Sequence, residues 1–376
     1  MFDQQQNLTL PGPSSVYLPP NDSEMFGRGQ NESAIVSVVC EEHYDYYQPT
    51  EKWLLGVVAL PFILCGLCAN GMSVAIFSHR QMRQQSVNWY LLVLGFSDLI
   101  VLLGAFFVLT LPRLSEILHW WRGTAISYYS TPLMYSLMTM AQTTSVWMTV
   151  AMSLHRFVGV CFPYQSGTVL ATRNVKSLIV GILFVAIFFN GCRFFEVSFQ
   201  VCRMKPINVE LPVLRMTALR QNELYRKVFY EWAYTLIMFA IPFTILIVVN
   251  SMVILAIHKS RKIHAKMNAH NDGIRKQELA KEISTSIMLV AIVIAFLLCN
   301  TLTFVVNLME KFDLNELYVL LVPWSNMLVL CNASINICIY CIFSDRYRNL
   351  LFHYLHCCRR KGGDNTFNNI NSMSYL

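Results

Sequence analysis

Long runs of apolar residues with almost no charge are the feature that most limits how this chain can fold. Only 14% of its 376 residues are charged, and the charges lie between the runs rather than within them. A helix needs about 20 mostly apolar residues to cross a bilayer. Seven runs meet or approach this length, at residues 53–77, 87–111, 125–160, 175–191, 229–257, 283–309 and 317–343. The sequence therefore predicts an all-α membrane protein with a seven-helix transmembrane bundle.

The apolar runs divide the chain into three parts. Residues 1–52 are a polar N-terminal tail, 53–343 the seven-helix transmembrane domain, and 344–376 a short amphipathic helix with a cytoplasmic tail. The third run is the longest and most polar, with Gln-Thr-Thr-Ser at 142–145. Because polar side chains are costly in lipid, we expect neighbouring helices to shield this run.

Basic residues set the expected orientation in the membrane. Lys and Arg follow the first, third and fifth runs and recur in the tail, most densely at 259–281, and such residues favour the cytoplasmic side. This asymmetry accounts for the net charge of +7 without a nucleic-acid partner. The basic loop at 193–227 is a partial conflict. We therefore expect a multi-pass plasma-membrane protein whose N-terminus is extracellular.

The tails carry signals for covalent modification and for a partner. Asn-x-Ser/Thr triplets in the N-terminal tail predict glycosylation at Asn7, Asn21 and Asn31. Two cysteines follow the amphipathic stretch and precede a basic run, which predicts S-palmitoylation of Cys357 and Cys358; two free cytosolic thiols are the alternative. The last three residues, Ser-Tyr-Leu, match a PDZ-domain ligand, although so short a match is common by chance.

Several polar side chains fall at the same expected depth in different helices. Asp98 is the only carboxylate in the middle of any apolar run, and a buried carboxylate requires a partner, a proton or a cation. The side chains that would complete a small hard-cation site, such as an allosteric Na⁺ site, are Asn70, Ser145, Asn332 and Asn336. A structural hydrogen-bond cluster around a protonated Asp98 is the alternative. No other cofactor is indicated.

Arg156 ends a polar stripe on the third run, at the same expected membrane level as Glu282 at the start of the sixth. An ion pair between them would hold the cytoplasmic ends of two helices together. Breaking that pair would open a cleft for a partner. The alternative is an interfacial arginine that extends toward lipid phosphate groups.

These residues, with others at matching spacings, resemble the class A, rhodopsin-like G protein-coupled receptors over residues 53–354. The motifs that carry the resemblance are Gly66-x-x-x-Asn70, Leu94-Gly-Phe-Ser-Asp98, Arg156 with Pro163, Pro242, Phe296-x-x-Cys299 and Asn336-x-x-x-Tyr340 followed by Phe343. Each motif is short, but their order across seven runs makes the set specific. The resemblance implies signalling through a heterotrimeric G protein, and it implies that the activation switch includes Arg156, Pro242, Phe296, Asn336 and Tyr340.

Within class A, the chain looks most like the invertebrate FMRFamide-type neuropeptide receptors. The residues that carry this likeness are Arg193-Phe-Phe-Glu196, Phe296-Leu-Leu-Cys-Asn300 and Asn332-Ala-Ser-Ile-Asn-Ile-Cys-Ile-Tyr340. The likeness implies that the ligand is an extracellular, amidated peptide.

The chain also departs from the class A pattern. His155 stands where an acid usually precedes the helix 3 arginine, which weakens the restraint on Arg156 and implies altered basal activity. Asn300 stands where tryptophan is usual, and Ile337 replaces the helix 7 proline. Because the sixth run contains no proline, we expect a straighter sixth helix.

A third departure concerns the extracellular disulfide of the class A pattern. Thr131 occupies the position of the helix 3 cysteine that usually bridges to the second extracellular loop. Cys202 therefore lacks its usual partner, and we expect Cys40 to replace it.

The polar residues expected near the extracellular side favour a cationic peptide. Met138 stands where amine receptors carry an aspartate, and the seventh run has no lysine for retinal. Glu196 or Glu231 would pair with the arginine of a peptide ending in Arg-Phe-amide; alternatively, these glutamates pair with loop arginines such as Arg203 or Arg215. The other residues expected to receive the peptide are Tyr135, Gln142, Phe304, Asn307 and Asn326.

Other function classes stay open on the sequence alone. A class A receptor for a lipid or another small ligand, a membrane transporter, and a class A fold that no longer signals are the alternatives. A transporter would favour repeated halves or several intramembrane charges, which this sequence lacks. An enzyme is not expected, because no paired catalytic carboxylates or His-Glu-x-x-His motif lies in the apolar runs.

Overall fold

The computed structural model describes residues 41–43, 46–205, 207–267, 273–311 and 315–361. Side chains at 41–43, 163, 260–282, 310–316 and 356–361 lie outside its described part. The long helices of the described residues are α1 (Pro49–Phe77), α2 (Val87–Ile117), α3 (Trp121–Cys161), α4 (Thr172–Asn190), α5 (223–267), α6 (Gly273–Lys311), α7 (Asn315–Phe343) and α8 (Asp345–Lys361). The predicted bundle of seven helices and its terminal amphipathic helix are confirmed.

Six of the helices from α1 to α7 are long and apolar enough to cross a membrane, and α3 is the exception. Its Ser and Thr side chains donate to carbonyl groups of its own preceding turn, as Thr143 does to Thr139 at 2.9 Å and Thr149 does to Ser145 at 2.9 Å. These bonds satisfy hydroxyl groups that would otherwise be unpaired at membrane depth. Half of the positions along α3 are also buried by neighbouring helices, which confirms that this polar run is shielded.

The helices extend beyond the apolar runs that predicted them. Helix α3 begins at Trp121 and α5 at Glu223, several residues before their apolar runs. The backbone of Tyr225 donates to the Asn222 side chain at 3.0 Å, which caps the start of α5. Helices can continue into water with polar residues, so hydropathy marks the spanning part and not the helix ends. Helix α6 is continuous from Gly273 to Lys311 and has no internal proline.

A three-stranded sheet, which the sequence did not predict, lies across one end of the bundle. Its strands are β1 (Glu41–His43), β2 (Val197–Lys205) and β3 (Val209–Met216), in the order β1-β2-β3. Strands β2 and β3 form an antiparallel hairpin, and β1 adds in parallel with Glu41 opposite Arg203. We call this end of the bundle the sheet end and the opposite one the α8 end.

Buried apolar side chains form three clusters inside the bundle. One joins α1, α2, α3, α4, α6, α7 and α8 at the α8 end and includes Tyr340 and Tyr347. A second joins α1, α2, α3 and α7. The third joins α3, α5 and α6 around Phe239 and Phe296. The third cluster connects α3 and α6, the two helices that the predicted Arg156–Glu282 pair would hold together.

Candidate functional site

A cavity of about 110 Å³ lies among α2, α3, α5, α6 and α7 toward the sheet end. Four of the predicted ligand residues line it, namely Tyr135, Gln142, Asn307 and Asn326. Much of the remaining wall is apolar, as at Val101. A few convergent polar groups in an apolar wall are typical of a ligand site.

Two arginines, Arg193 and Arg220, are the only charged residues of the described chain that line this cavity. Arg193 follows α4 and is 2% exposed. Its guanidinium donates to the hydroxyls of Tyr135 (2.8 Å) and Tyr230 (2.9 Å) and to the side-chain oxygen of Asn190 (3.2 Å). These bonds compensate the guanidinium for the loss of water. They also join α3, α4 and α5 at one point.

Glu196 is the counter-ion of both arginines. It is 1% exposed, and its carboxylate lies 3.9 Å from Arg193 and 3.8 Å from Arg220. It accepts hydrogen bonds from the hydroxyls of Tyr225, at 2.5 Å, and Tyr230. Glu196 does not line the cavity. Its carboxylate is therefore occupied by protein groups, and the predicted pairing with a ligand arginine is not the arrangement in this structure.

The structure places two other predicted ligand residues just outside the cavity. Glu231 lies half-buried on α5, and no ion pair to it occurs among the described side chains. Phe304 packs between the rings of Phe239 and Phe243, with centroid distances of 5.6 and 5.8 Å. Neither side chain lines the cavity. Phe304 thus belongs to the core between α5 and α6.

The segment before α1 is fastened to α2 at the sheet end. Glu116 accepts hydrogen bonds from the backbone of Tyr46 (3.1 Å) and Tyr47 (3.3 Å) and lies 2.7 Å from the Lys52 ammonium. Arg113 lies over the ring of Tyr47 at 4.3 Å. Burial raises the pKa of the Tyr47 phenol above its ordinary value. These contacts hold residues 46–52 against the end of α2.

A polar network in mid-membrane contains part of the predicted cation site. Asp98 accepts hydrogen bonds from Ser145 at 3.2 Å and from the amide nitrogen of Asn336 at 2.8 Å. Asn70 donates instead to the backbone of Ala333 at 2.7 Å. The carboxylate and hydroxyl are oxygen ligands that suit a hard cation, whereas Asn336 presents a donor. The structure joins three of the five predicted residues, Asp98, Ser145 and Asn336, by hydrogen bonds. Among the described side chains, neither Asn70 nor Asn332 forms a hydrogen bond to this group.

Two of the predicted switch residues, His155 and Arg156, lie near the end of α3, which ends at Cys161. The His155 ring lies 3.0 Å from the Ser86 hydroxyl and packs edge-on against Tyr90. His155 therefore contacts Ser86 and the start of α2. It supplies no carboxylate that could restrain the neighbouring Arg156. The side chain of Glu282 lies outside the described part of the chain, so its ion pair with Arg156 stays a prediction.

The other predicted switch residues include aromatic side chains that contact neighbouring helices. Phe296 of α6 packs edge-on against Phe243 of α5, next to the buried Pro242. Asn300 donates to the carbonyl of Phe296 one turn earlier, at 2.8 Å. Tyr340 packs against Tyr347 of α8 at 5.3 Å. Phe296 and Tyr340 therefore lie at contacts between helices, and a shift of one helix against its neighbour would change these contacts.

The arrangement of a helical bundle with a cavity toward one end agrees with the sequence comparison. The profile of the 7 transmembrane receptor (rhodopsin family) matches residues 69–340. The chain belongs to this family. It is a multi-pass membrane receptor, and the transporter interpretation is not favoured.

Similar receptors are found in two invertebrates. The probable G-protein coupled receptor frpr-1 of Caenorhabditis elegans is 30% identical, with 88% of this chain and 89% of that receptor covered. The FMRFamide peptide receptor frpr-18 of the same organism is 30% identical over 85% of this chain and 73% of its own length. The FMRFamide receptor of Drosophila melanogaster is 26% identical over 83% of this chain and 56% of its own length. The resemblance to FMRFamide-type receptors is thereby confirmed.

Several modification predictions fall outside the described part of this receptor. These are the glycosylation sites Asn7, Asn21 and Asn31, the disulfide partner Cys40, and the side chains of Cys357 and Cys358. The predicted PDZ ligand also lies there. Cys202 itself is disulfide-bonded.

Residues of the receptor that the sequence did not single out complete the site. Arg220 reaches the cavity from the loop before α5, and Tyr230 lines it from α5. Glu116 holds the N-terminal segment. The spacing of Arg193 and Glu196, one helical turn apart, was the available signal for the buried ion pair, because residues at i and i+3 lie side by side.

Proposed function

We propose that this receptor recognises an extracellular amidated peptide of the FMRFamide type and signals through a heterotrimeric G protein. The cavity at the sheet end carries the proposal, because its amide and hydroxyl groups suit a terminal carboxamide and its apolar wall suits an aromatic ring. The similarity to receptors named for FMRFamide supports the choice of peptide.

The charges of the site suggest how the peptide is oriented. Arg193 and Arg220 offer donors inside the cavity, which suit carbonyl oxygens of the amidated end and repel the peptide's own arginine. Glu196 is already paired with these arginines. Glu231 is the remaining glutamate on α5 near the cavity, and we propose that it binds the peptide arginine. The carboxamide then lies deeper, near Gln142.

The proposal is tested by expressing the receptor in cells and applying a panel of amidated peptides, with calcium and cyclic nucleotide as readouts. Peptides ending in Arg-Phe-amide should activate it, and their free-acid forms should be weaker. Silence toward every peptide, with normal surface expression, would show that the ligand class is wrong.

Glu231→Gln should weaken a peptide that contains the arginine by about tenfold, which corresponds to ~1.4 kcal/mol. The same substitution should hardly affect an analogue with glutamine in place of the arginine. Glu223→Gln is the matched control, since Glu223 is exposed at the start of the same helix. Equal losses for both peptides would remove Glu231 from the site.

His155→Asp should lower ligand-independent signalling, because it places a carboxylate beside Arg156 and restores a restraint. If the new ion pair contributes ~1 kcal/mol, basal signalling should fall about fivefold. Basal nucleotide exchange on a G protein measures the effect at matched surface density. Ser86→Ala, which removes only the contact with the imidazole, is the control. Unchanged or increased basal exchange in His155→Asp would contradict the restraint.

We also propose that the sheet end is extracellular, with glycans at Asn7, Asn21 and Asn31, and that palmitoylated Cys357 and Cys358 anchor α8. The lysine-rich and arginine-rich segment between α5 and α6 then faces the cytoplasm. The Na⁺ site at Asp98 and the PDZ ligand at the C-terminus stay predictions of the sequence.

A further inference from the structure

A hydroxyl group in the wall of the cavity is buried without a partner. Thr303 of α6 lines the cavity, and its Oγ1 atom forms no hydrogen bond with a described residue. Thr301 of the same helix avoids this state by donating to the Leu297 carbonyl at 2.6 Å. Because a buried polar atom without a partner costs free energy, such an atom in a cavity wall points to a ligand group that completes it.

Three amide side chains in the same cavity are also unused. Gln142 of α3, Asn307 of α6 and Asn326 of α7 line the cavity, and none of them forms a hydrogen bond with a described residue. Thr303 and Asn307 are four residues apart, so they share one face of α6. We call Thr303 and these three amides the neutral wall.

Other polar groups of the cavity are bonded within the receptor. Thr139 and Ser325 each donate to a carbonyl of their own helix at 2.9 Å. Arg193 donates to the hydroxyls of Tyr135 and Tyr230. An arginine side chain offers donors and no acceptor. The neutral wall, by contrast, offers unused acceptors, namely the hydroxyl oxygen of Thr303 and three side-chain carbonyl oxygens.

We propose that Thr303 makes the receptor select an amidated peptide over its free acid, by accepting a hydrogen bond from the nitrogen of the terminal carboxamide. The inference rests on the proposed peptide ligand. Donors such as Arg193 and Arg220 cannot produce this selectivity, because a carboxylate accepts from an arginine more strongly than a neutral carbonyl does. An acceptor distinguishes the two end groups, since the carboxamide has N–H groups to donate and the carboxylate has none.

The chemistry of the neutral wall matches a carboxamide better than a charged end group. Each amide of the wall carries a donor and an acceptor, as a terminal carboxamide does. A carboxylate would leave the acceptors of the wall unpaired, an ammonium would leave its donors unpaired, and either would lose its water. The hydroxyl and the methyl of Thr303 leave the same carbon, so rotation about the Cα–Cβ bond presents the hydroxyl to an occupant of the cavity.

The test measures the binding of N-acetyl-phenylalaninamide and of N-acetyl-phenylalanine to the purified, full-length receptor. The dependence of the thermal midpoint on probe concentration gives each affinity. The parent should bind the amide more tightly than the acid. Thr303→Val should weaken the amide about fivefold, the equivalent of ~1 kcal/mol for one neutral hydrogen bond, and should leave the acid unchanged. Thr303→Ser, which keeps the hydroxyl, should bind both probes as the parent does.

Thr235→Val is the matched control. Thr235 of α5 is 7% exposed and its hydroxyl is also buried without a partner in the described chain, but it does not line the cavity. This variant should bind both probes as the parent does. Neither valine should lower the midpoint of the ligand-free receptor, because each replaces a hydroxyl that no described group of the receptor uses.

Two results would overturn the role of Thr303. One is an equal loss of both probes in Thr303→Val, which would mean that the residue shapes the cavity without distinguishing the end groups. The other is a parent receptor that does not bind the amide more tightly than the acid. The probes are single residues without an arginine and the readout is binding, so neither result depends on whether longer peptides activate the receptor.

Discussion

Glu196→Gln is expected to destabilise the receptor by about 3–5 kcal/mol, the usual cost of removing one partner from a buried ion pair. The substitution keeps the size of the side chain but leaves Arg193 and Arg220 without a carboxylate at 3.9 and 3.8 Å. Both guanidiniums are buried, so water cannot replace the lost charge. Surface density in cells and the thermal midpoint of the solubilised, ligand-free receptor measure the loss.

Glu210→Gln provides the matched control in the same loop. Glu210 also pairs with an arginine, Arg203, at 3.4 Å, but the two side chains are 62% and 55% exposed. An exposed pair contributes about 0–1 kcal/mol, so this variant should behave almost as the parent. Similar midpoints for the two variants would show that the buried charge of Glu196 does not hold the site together.

A graded variant keeps the test informative if Glu196→Gln fails to reach the surface. Tyr225→Phe removes one hydrogen bond, the 2.5 Å bond to Glu196, and retains the ring. Its expected cost is about 0.5–1.5 kcal/mol. An intermediate midpoint for Tyr225→Phe supports the cluster, whereas an unchanged midpoint argues against it.

The membrane explains why the bundle was predictable. In lipid every backbone group must be paired within the chain, so a long apolar run has almost no choice but a helix. The polar run α3 is a helix as well. Its hydroxyl groups find partners within the same helix, as Thr143 does by donating to the Thr139 carbonyl. The sheet was missed for the opposite reason. Strand β1 pairs with β2 from a distant part of the chain, and local periodicity contains no information about such a pairing.

The candidate site was predictable in its membership but less so in its geometry. Gln142, Asn307 and Asn326 were expected to receive the terminal amide of a peptide, and all three line the cavity. Glu196 was assigned to the ligand because its charge suited a cationic peptide. A sequence does not show which way a loop side chain points, and here the carboxylate faces Arg193 and Arg220. Arg220 comes from a short helix, Ala218–Gln221, in the connection before α5, whose path the sequence does not determine.

Cys202→Ser should cost about 2–5 kcal/mol, because the disulfide of Cys202 restricts the unfolded chain. Cys192→Ser is the control, since Cys192 is a free cysteine in the same loop. The thermal midpoint of the solubilised receptor should fall for the first variant and stay near that of the parent for the second.

The same experiment tests whether Cys40 is the partner of Cys202. Strand β1 begins at the next residue, and its Glu41 lies opposite Arg203, the neighbour of Cys202. If the two cysteines are bonded, Cys40→Ser should lower the midpoint as much as Cys202→Ser, and the double variant should lose no more than either, because both remove one bond. A Cys40→Ser variant as stable as the parent would instead assign Cys202 a different partner and leave the N-terminal segment held by Glu116 and β1 alone.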